Sequence, residues 1–122
     1  MARILIIEDD DQFRAMLRET LERAGYEIVE APNGKEGIKI YREEPADLII
    51  TDMLMPVMPG SRVISELRDD FPNVKIIAIS GGGNIYESDS YLSFAKELGA
   101  QRIFEKPLQR KKLLKAVKEI LD

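Results

Sequence analysis

The chain has 122 residues, and 44% of them are hydrophobic, so it is long enough to bury one core. It contains no cysteine and no histidine, which excludes disulfides, zinc-thiolate sites and histidine acid-base catalysis. The formal net charge of -4 argues against a general nucleic-acid-binding surface, because phosphate contacts require a basic stripe. The chemistry left to a functional site is that of carboxylates, hydroxyls, lysines and backbone groups.

The first strand and the first helix are predicted near the N-terminus. Residues 3–7 form a short β-rich apolar run, as expected of a strand buried on both faces. From Phe13 onward apolar residues recur at spacings of three and four, which predicts a helix, and Gly25 is a natural C-terminal stop. Residues 26–31 then mix polar and apolar side chains, which indicates a strand at an edge of the sheet.

The second and third helices flank the next buried strand. Asn33, with Glu36 three residues later, resembles a capping box, so the second helix is predicted to begin there and to run toward Pro45. The apolar run 48–51 predicts the third strand. A third helix is expected to follow Gly60.

The second half of the chain repeats the alternation. Residues 74–80 predict a fourth strand, a helix ending at Gly99 follows, and residues 102–105 predict a short edge strand. Apolar spacing within 113–121 predicts the last helix. Five β-α repeats imply an α/β fold, a (βα)5 doubly wound parallel sheet with helices on both faces. No linker or internal repeat interrupts them, so we predict one domain over 1–122.

The sequence also bears on location and on chain organisation. The N-terminus has no signal-peptide pattern, and no apolar run approaches the roughly 20 residues needed to cross a bilayer. We therefore expect a cytoplasmic protein without membrane or direct nucleic-acid contacts. We expect either a single-domain protein or a domain cut from a longer protein.

Polar side chains gather at the carboxyl ends of the predicted strands, where open parallel sheets bind ligands. Glu8 and Asp9 follow the first strand, and Asp52 closes the third. Ser80 closes the fourth strand, and Lys106 follows the fifth. Because neighbouring carboxylates repel each other and a hard divalent cation relieves that repulsion, we predict a metal site that suits Mg²⁺ best.

Four motifs in chain order resemble the receiver domain of bacterial two-component response regulators, the chemotaxis regulators among them. The motifs are ILIIEDD, LIITDMLMPVMPG, IIAIS and FEKPL, and each stands at the expected end of its strand. The resemblance covers essentially the whole chain. It implies a flavodoxin-like sheet with strand order 2-1-3-4-5.

The resemblance also implies roles for individual residues. Asp52 is the phosphoacceptor, Ser80 is the hydroxyl switch, and Lys106 is the lysine that pairs with phosphate. The peptide between Lys106 and Pro107 is expected to be cis, which an X-Pro bond permits at modest cost. These roles describe a protein that catalyses its own phosphorylation and dephosphorylation but is not a turnover enzyme.

The metal ligands and the partners are implied in the same way. Mg²⁺ is held by Glu8, Asp9 and Asp52 and by the backbone carbonyl of Leu54. The phosphoryl group comes from a sensor histidine kinase or a histidine phosphotransfer protein. A downstream protein binds the face formed by the fourth helix, the fifth strand and the fifth helix.

Two features depart from the family pattern. The position three before Lys106 usually carries an aromatic side chain that follows the hydroxyl switch, but here it is Ile103. Phe104 is expected to face the opposite side of the strand, so it cannot take over. The stretch 81–90 makes this chain several residues longer than a typical receiver, and we interpret it as a flexible, remodelled output loop.

Other interpretations stay open at this point. A Mg²⁺-dependent phosphohydrolase of similar topology would also use an aspartate after a strand, but such enzymes place a second aspartate where this chain has Leu54. A phosphorylation-independent interaction module would keep the fold and lose the switch, and Ile103 favours it. Asp10 and Asp11 have a plainer interpretation, because carboxylates also cap helix N-termini.

Overall fold

The protein is described by a computed structural model that covers residues 2–81, 93 and 95–122. One parallel sheet of five strands has the order β2-β1-β3-β4-β5. The strands are β1 (Arg3–Ile7), β2 (Glu27–Ala31), β3 (Leu48–Asp52), β4 (Ile76–Ser80) and β5 (Arg102–Glu105). The predicted α/β class, strand order and two edge strands are confirmed.

Helices follow the strands in alternation. They are α1 (Asp11–Arg23), α2 (Gly34–Glu43), α3 (Gly60–Asp70) and α5 (Arg110–Leu121). Residues 93 and 95–98 form the described part of a further helix, α4, which ends before Gly99 as predicted. None of the helices in these ranges has the length and apolarity that crossing a bilayer requires.

Local signals set the helix ends as the sequence predicts. The Asp10 side chain caps α1 by accepting hydrogen bonds from the backbone N–H groups of Gln12 and Phe13. The Asn33 side chain accepts from the N–H of Glu36 at 2.9 Å, so the predicted cap of α2 is present. Gly25, with φ of 97°, follows α1 in the left-handed region that glycine adopts without strain.

Two strands begin later than predicted: β2 starts at Glu27 and not at residue 26, and the fourth strand differs more. The predicted fourth strand began at residue 74, but β4 begins at Ile76. The N–H of Val74 donates to the carbonyl of Phe71 at 2.9 Å, so this residue closes the turn after α3. An apolar valine before a buried strand gives no sequence signal for that turn.

The sheet separates two apolar cores. Helices α2, α3 and α4 cover one face with buried side chains that include Ile38, Ile64 and Ala95. Helices α1 and α5 cover the other face with side chains that include Leu17 and Val117. All five residues of β3 and all five of β4 are buried, as expected of central parallel strands. With both faces covered, the carboxyl edge of the sheet is where polar side chains can gather.

Candidate metal centre at the carboxyl edge of the sheet

Three carboxylates meet where β1 and β3 end. Glu8 and Asp9 directly follow β1, and Asp52 is the last residue of β3, the strand paired beside β1. One carboxylate oxygen from each of the three side chains lies within 4.8 Å of the others. The topology therefore brings together the acidic residues that the sequence predicted to meet.

Burial distinguishes the three acids. Glu8 is 1% exposed and Asp52 is 5% exposed, whereas Asp9 lies at the surface. An ionised carboxylate is costly to bury unless it is paired. The two buried acids share a partner, because the Lys106 Nζ lies 3.1 Å from an Asp52 oxygen and 3.3 Å from a Glu8 oxygen.

The charge of the cluster suits a divalent cation. When all three carboxylates are ionised they contribute -3 and the Lys106 ammonium contributes +1, which leaves a formal charge of -2. Burial, together with a hydrogen bond and repulsion from Asp52, raises the pKa of Glu8 from its usual 4.5 to about 8. Oxygen ligands with excess negative charge are the donor set that Mg²⁺ binds, so the residues present fit this ion.

Lys106 is held as an ammonium at this edge. Burial lowers its pKa, but the negative charges and hydrogen bonds of Asp52 and Glu8 outweigh that effect, so the pKa is raised overall. Its backbone N–H donates to the carbonyl of Ser80 at 2.8 Å, which ties the end of β5 to that of β4. The peptide between Lys106 and Pro107 is cis, as expected.

Ser80 carries a buried hydroxyl that lacks a partner among the described residues. Its side chain ends β4, the strand beside β3, and the residue is fully buried. Its Oγ makes no hydrogen bond to any residue within the described ranges. A buried polar group left unsatisfied costs about 1–3 kcal/mol, so the hydroxyl is available to a group that arrives at this edge.

The loop after Asp52 is fixed by a hydrogen bond between residues two apart in the chain. The backbone N–H of Leu54 donates to Asp52 Oδ1 at 3.0 Å, while the other oxygen of Asp52 faces Lys106. Both carboxylate oxygens of Asp52 are thus oriented by protein groups. The metal-binding role of the Leu54 carbonyl stays a prediction.

Asp10 and Asp11 stand at the N-terminus of α1, which agrees with the plainer interpretation of these two acids. Asp10 caps α1, and Asp11 forms an ion pair with Arg14 at 2.6 Å. Arg14 also donates a hydrogen bond to the backbone carbonyl of Glu8 at 2.7 Å, which connects the first turn of α1 to the end of β1.

The structure places the two side chains of β5 that bear on the departure from the family pattern. Ile103 packs against the core on the side of α2 and α3, and Phe104 packs on the opposite side, as predicted. Of the predicted output loop, Gly81 is described, and residues 82–90 lie outside the described residues.

One contact of the site was not predicted from the sequence. The Lys106 Nζ lies 4.3 Å from the centroid of the Phe13 ring. The spacing of apolar residues assigned Phe13 to the buried stripe of α1, but spacing alone does not identify the side chain that a distant lysine meets. The cap at Asp10 was the available signal, because it places the first turn of α1 at this edge.

A buried aspartate, a group of acids that could hold a metal ion and a facing lysine are the kinds of residues that divalent-cation-dependent phosphoryl transfer uses. Comparison with known proteins agrees. The model of the response regulator receiver domain family matches residues 4–118. The chemotaxis protein CheY of Thermotoga maritima is 34% identical over 119 residues, which span 97% of this chain and 96% of CheY.

A segment of the sensor kinase CckA of Brucella abortus is 35% identical over 126 residues, which span 99% of this chain and 13% of the kinase. The crystal structure of a CheY-like receiver domain protein from Methanospirillum hungatei has a TM-score of 0.90 and 29% identity, covering 100% of this chain and 94% of that one. The chain belongs to the response regulator receiver domain family, and the resemblance seen in the sequence is confirmed. Receiver domains are signalling modules of two-component systems and not classical turnover enzymes, which disfavours the phosphohydrolase interpretation.

Proposed function

We propose that this receiver takes a phosphoryl group from a histidine kinase, or from a histidine phosphotransfer protein, onto Asp52 in a Mg²⁺-dependent step. Phosphorylation then changes the binding of a downstream protein. The observation that carries the proposal is the setting of Asp52, which is 5% exposed, shares an acidic cluster with Glu8 and Asp9, and faces the Lys106 ammonium at 3.1 Å.

Asp52 supplies the nucleophile. An oxygen of its carboxylate forms a bond to phosphorus while the P–N bond of the donor phosphohistidine breaks, and the imidazole leaves with the electron pair. The product is an acyl phosphate on Asp52. The hydrogen bond from the Leu54 N–H at 3.0 Å and the contact with Lys106 hold the carboxylate in one orientation, so less freedom is lost at the transition state.

In this proposal Glu8, Asp9 and Lys106 act on the negative charge of the phosphoryl group. Glu8, Asp9 and Asp52 would hold Mg²⁺, with the Leu54 carbonyl as a further ligand, and the bound ion would neutralise negative charge on the phosphoryl oxygens. Lys106 offers its N–H groups to an oxygen of the same phosphoryl group. It also balances part of the charge of the acids before the donor arrives.

Ser80 is the switch in this proposal. Its buried hydroxyl has no partner among the described residues, and donating to a phosphoryl oxygen on Asp52 satisfies it. That movement displaces the end of β4 and biases the neighbouring face of α4, β5 and α5. A surface groove of about 240 Å³ lies on this face beside Ile103 and Lys96, and it offers a downstream protein a place to bind.

A second candidate is an interaction module that works without phosphorylation. Ile103 favours it, because this aliphatic side chain stands where family members use a ring that follows the hydroxyl switch. Ile103 packs against the core on the side of α2 and α3, so a movement of Ser80 would have to pass through the backbone or through packing. The predicted cytoplasmic location and the lack of nucleic-acid contacts stay predictions under either candidate.

Intact mass spectrometry with acetyl phosphate and Mg²⁺ separates these candidates. We expect one phosphoryl group on the wild-type protein, none on Asp52→Asn, and none when a chelator removes the metal. Asp69→Asn is the matched control, because Asp69 is an exposed aspartate on α3, and it should label like the wild type. No addition to the wild-type protein would support the interaction module instead.

A further inference from the structure

We infer that Phe13 is a positioning residue for Lys106, whose ammonium it holds over its ring beside the acidic cluster. The inference rests on the proposed function of Lys106 as the lysine that pairs with phosphate. It adds an aromatic residue to a site that the sequence described through its charged and hydroxyl side chains.

The geometry is that of a cation-π contact. The Lys106 Nζ lies 4.3 Å from the ring centroid of Phe13, well inside the roughly 6 Å within which such contacts are attractive. The same nitrogen lies 3.1 Å from Asp52 and 3.3 Å from Glu8, so the ring and two carboxylates share one ammonium. The Lys106 side chain is 22% exposed, and this partial removal from water strengthens its attraction to the ring.

Phe13 is anchored independently of Lys106. Its backbone N–H donates to Asp10 Oδ1 at 3.2 Å as part of the α1 cap. Its ring is partly buried and packs against the core between α1 and α5. The ring therefore has a fixed position and can serve as a support for a flexible lysine.

The first carbons of the Lys106 side chain are sterically confined by Gly81. They lie so close to the backbone of Gly81 that a Cβ at this glycine would be 2.2 Å from the Cβ of Lys106. The backbone N–H of Lys106 is bonded to Ser80, as described above. With these carbons confined and its ammonium over the ring, Lys106 has few remaining conformations that reach Asp52.

The contact matters most when the carboxylates have other partners. A cation bound by Glu8 and Asp52 would neutralise part of their negative charge, so the electrostatic attraction between these carboxylates and the Lys106 ammonium would weaken. The attraction of the ring depends on its own quadrupole and persists. Phe13 thereby keeps Lys106 near the place where the phosphoryl group arrives.

Two substitutions distinguish a cation-π contact of Phe13 from simple apolar packing by its side chain. Phe13→Leu keeps an apolar side chain but removes the aromatic face, and Phe13→Tyr keeps the face. With acetyl phosphate and Mg²⁺, we expect Phe13→Leu to label Asp52 roughly three- to tenfold more slowly than the wild type, and Phe13→Tyr to restore the rate. Met16→Ala is the control for lost packing on α1, and it should label at the wild-type rate whatever its stability.

Nuclear magnetic resonance of the unphosphorylated protein tests the contact directly. Protons of the Lys106 side chain above the ring should resonate upfield in the wild type and in Phe13→Tyr, and they should return to ordinary lysine positions in Phe13→Leu. Ordinary positions in the wild type would overturn the inference, even if Phe13→Leu failed to fold. A wild-type labelling rate in Phe13→Leu would overturn it as well.

These outcomes are distinct from a failure of the proposed function. If the wild type accepts no phosphoryl group, the proposed function fails, and the resonance measurement still decides whether Phe13 holds Lys106. If the wild type is labelled and Phe13→Leu matches it, the proposed function stands and the inference fails.

Discussion

Glu8 is a carboxylic acid whose protonation state would be coupled to metal binding at the proposed site. Its folded pKa of about 8 lies above the usual 4.5, first because of burial and then because of Asp52. Between these two values the folded, metal-free protein binds more protons at Glu8 than the unfolded chain does. The stability contributed by the neutral form of Glu8 is present below about pH 4.5 and is lost as the pH rises toward about 8.

If Glu8 is a metal ligand as proposed, Mg²⁺ must displace this proton, so its affinity should rise with pH until about pH 8 and then level off. Calorimetric titration of the protein with Mg²⁺ at several pH values on either side of that point measures the effect. Glu8→Gln should bind the ion more weakly and lose most of the pH dependence. Equal wild-type affinities at every pH would contradict the assignment of Glu8 to the metal site.

Val57 carries local strain in the loop that follows Asp52. It is 81% exposed and has a φ of 73°, a left-handed conformation that is unfavourable for a β-branched residue. Val57→Asn should raise the free energy of unfolding by about 1 kcal/mol, because asparagine tolerates this conformation. Urea denaturation measures the change, and Val57→Thr, which stays β-branched, should show no gain. Equal stability of the two variants would show that the backbone is not strained there.

At the scale of the elements, the start of α3 is pressed against the end of β3. A Cβ added to Gly60 would lie 2.2 Å from the backbone oxygen of Asp52 and 2.8 Å from the Cα of Met53. Both contacts are with the backbone, so a rotamer change of a side chain cannot relieve them. Gly60 therefore allows the loop that holds Asp52 to close tightly.

Gly60→Ala should lower the free energy of unfolding by about 1–3 kcal/mol, as overpacking does in well-packed cores. It should also slow phosphorylation by acetyl phosphate, because the backbone of Asp52 has to shift. Urea denaturation and the labelling rate measure the two effects. Ser61→Ala, one residue further along α3, is the control and should change neither. A Gly60→Ala protein as stable as this control would refute the close approach.

The strands and the acidic cluster were predictable for physical reasons. Apolar runs mark buried parallel strands, and the topology of an open sheet brings their carboxyl ends to one edge, so Glu8 and Asp52 had to lie near each other. The contact between Phe13 and Lys106 was not predictable, since spacing gives the face of a helix and not the partner of each side chain. The positive φ of Val57 was also missed, because valine gives no sequence signal for it.

In the whole molecule, the fold places the two apolar cores and the candidate site in different regions. Two apolar cores cover both faces of the sheet, and the acids, the lysine and the buried hydroxyl stand at its carboxyl edge. The end of β4 at Ser80 links this edge to the face of α4, β5 and α5. Under the proposed function, a change at Asp52 has a short route to the face that is proposed to bind the downstream protein.

The most direct test identifies the carboxylate that carries the phosphoryl group. Protein labelled by acetyl phosphate is reduced with borohydride, which converts an aspartyl phosphate into homoserine, and peptide mass spectrometry then locates the homoserine. We predict homoserine at position 52 when Mg²⁺ is present and none when it is removed. Homoserine at another aspartate, or at position 52 regardless of the metal, would contradict a Mg²⁺-dependent acceptor at Asp52.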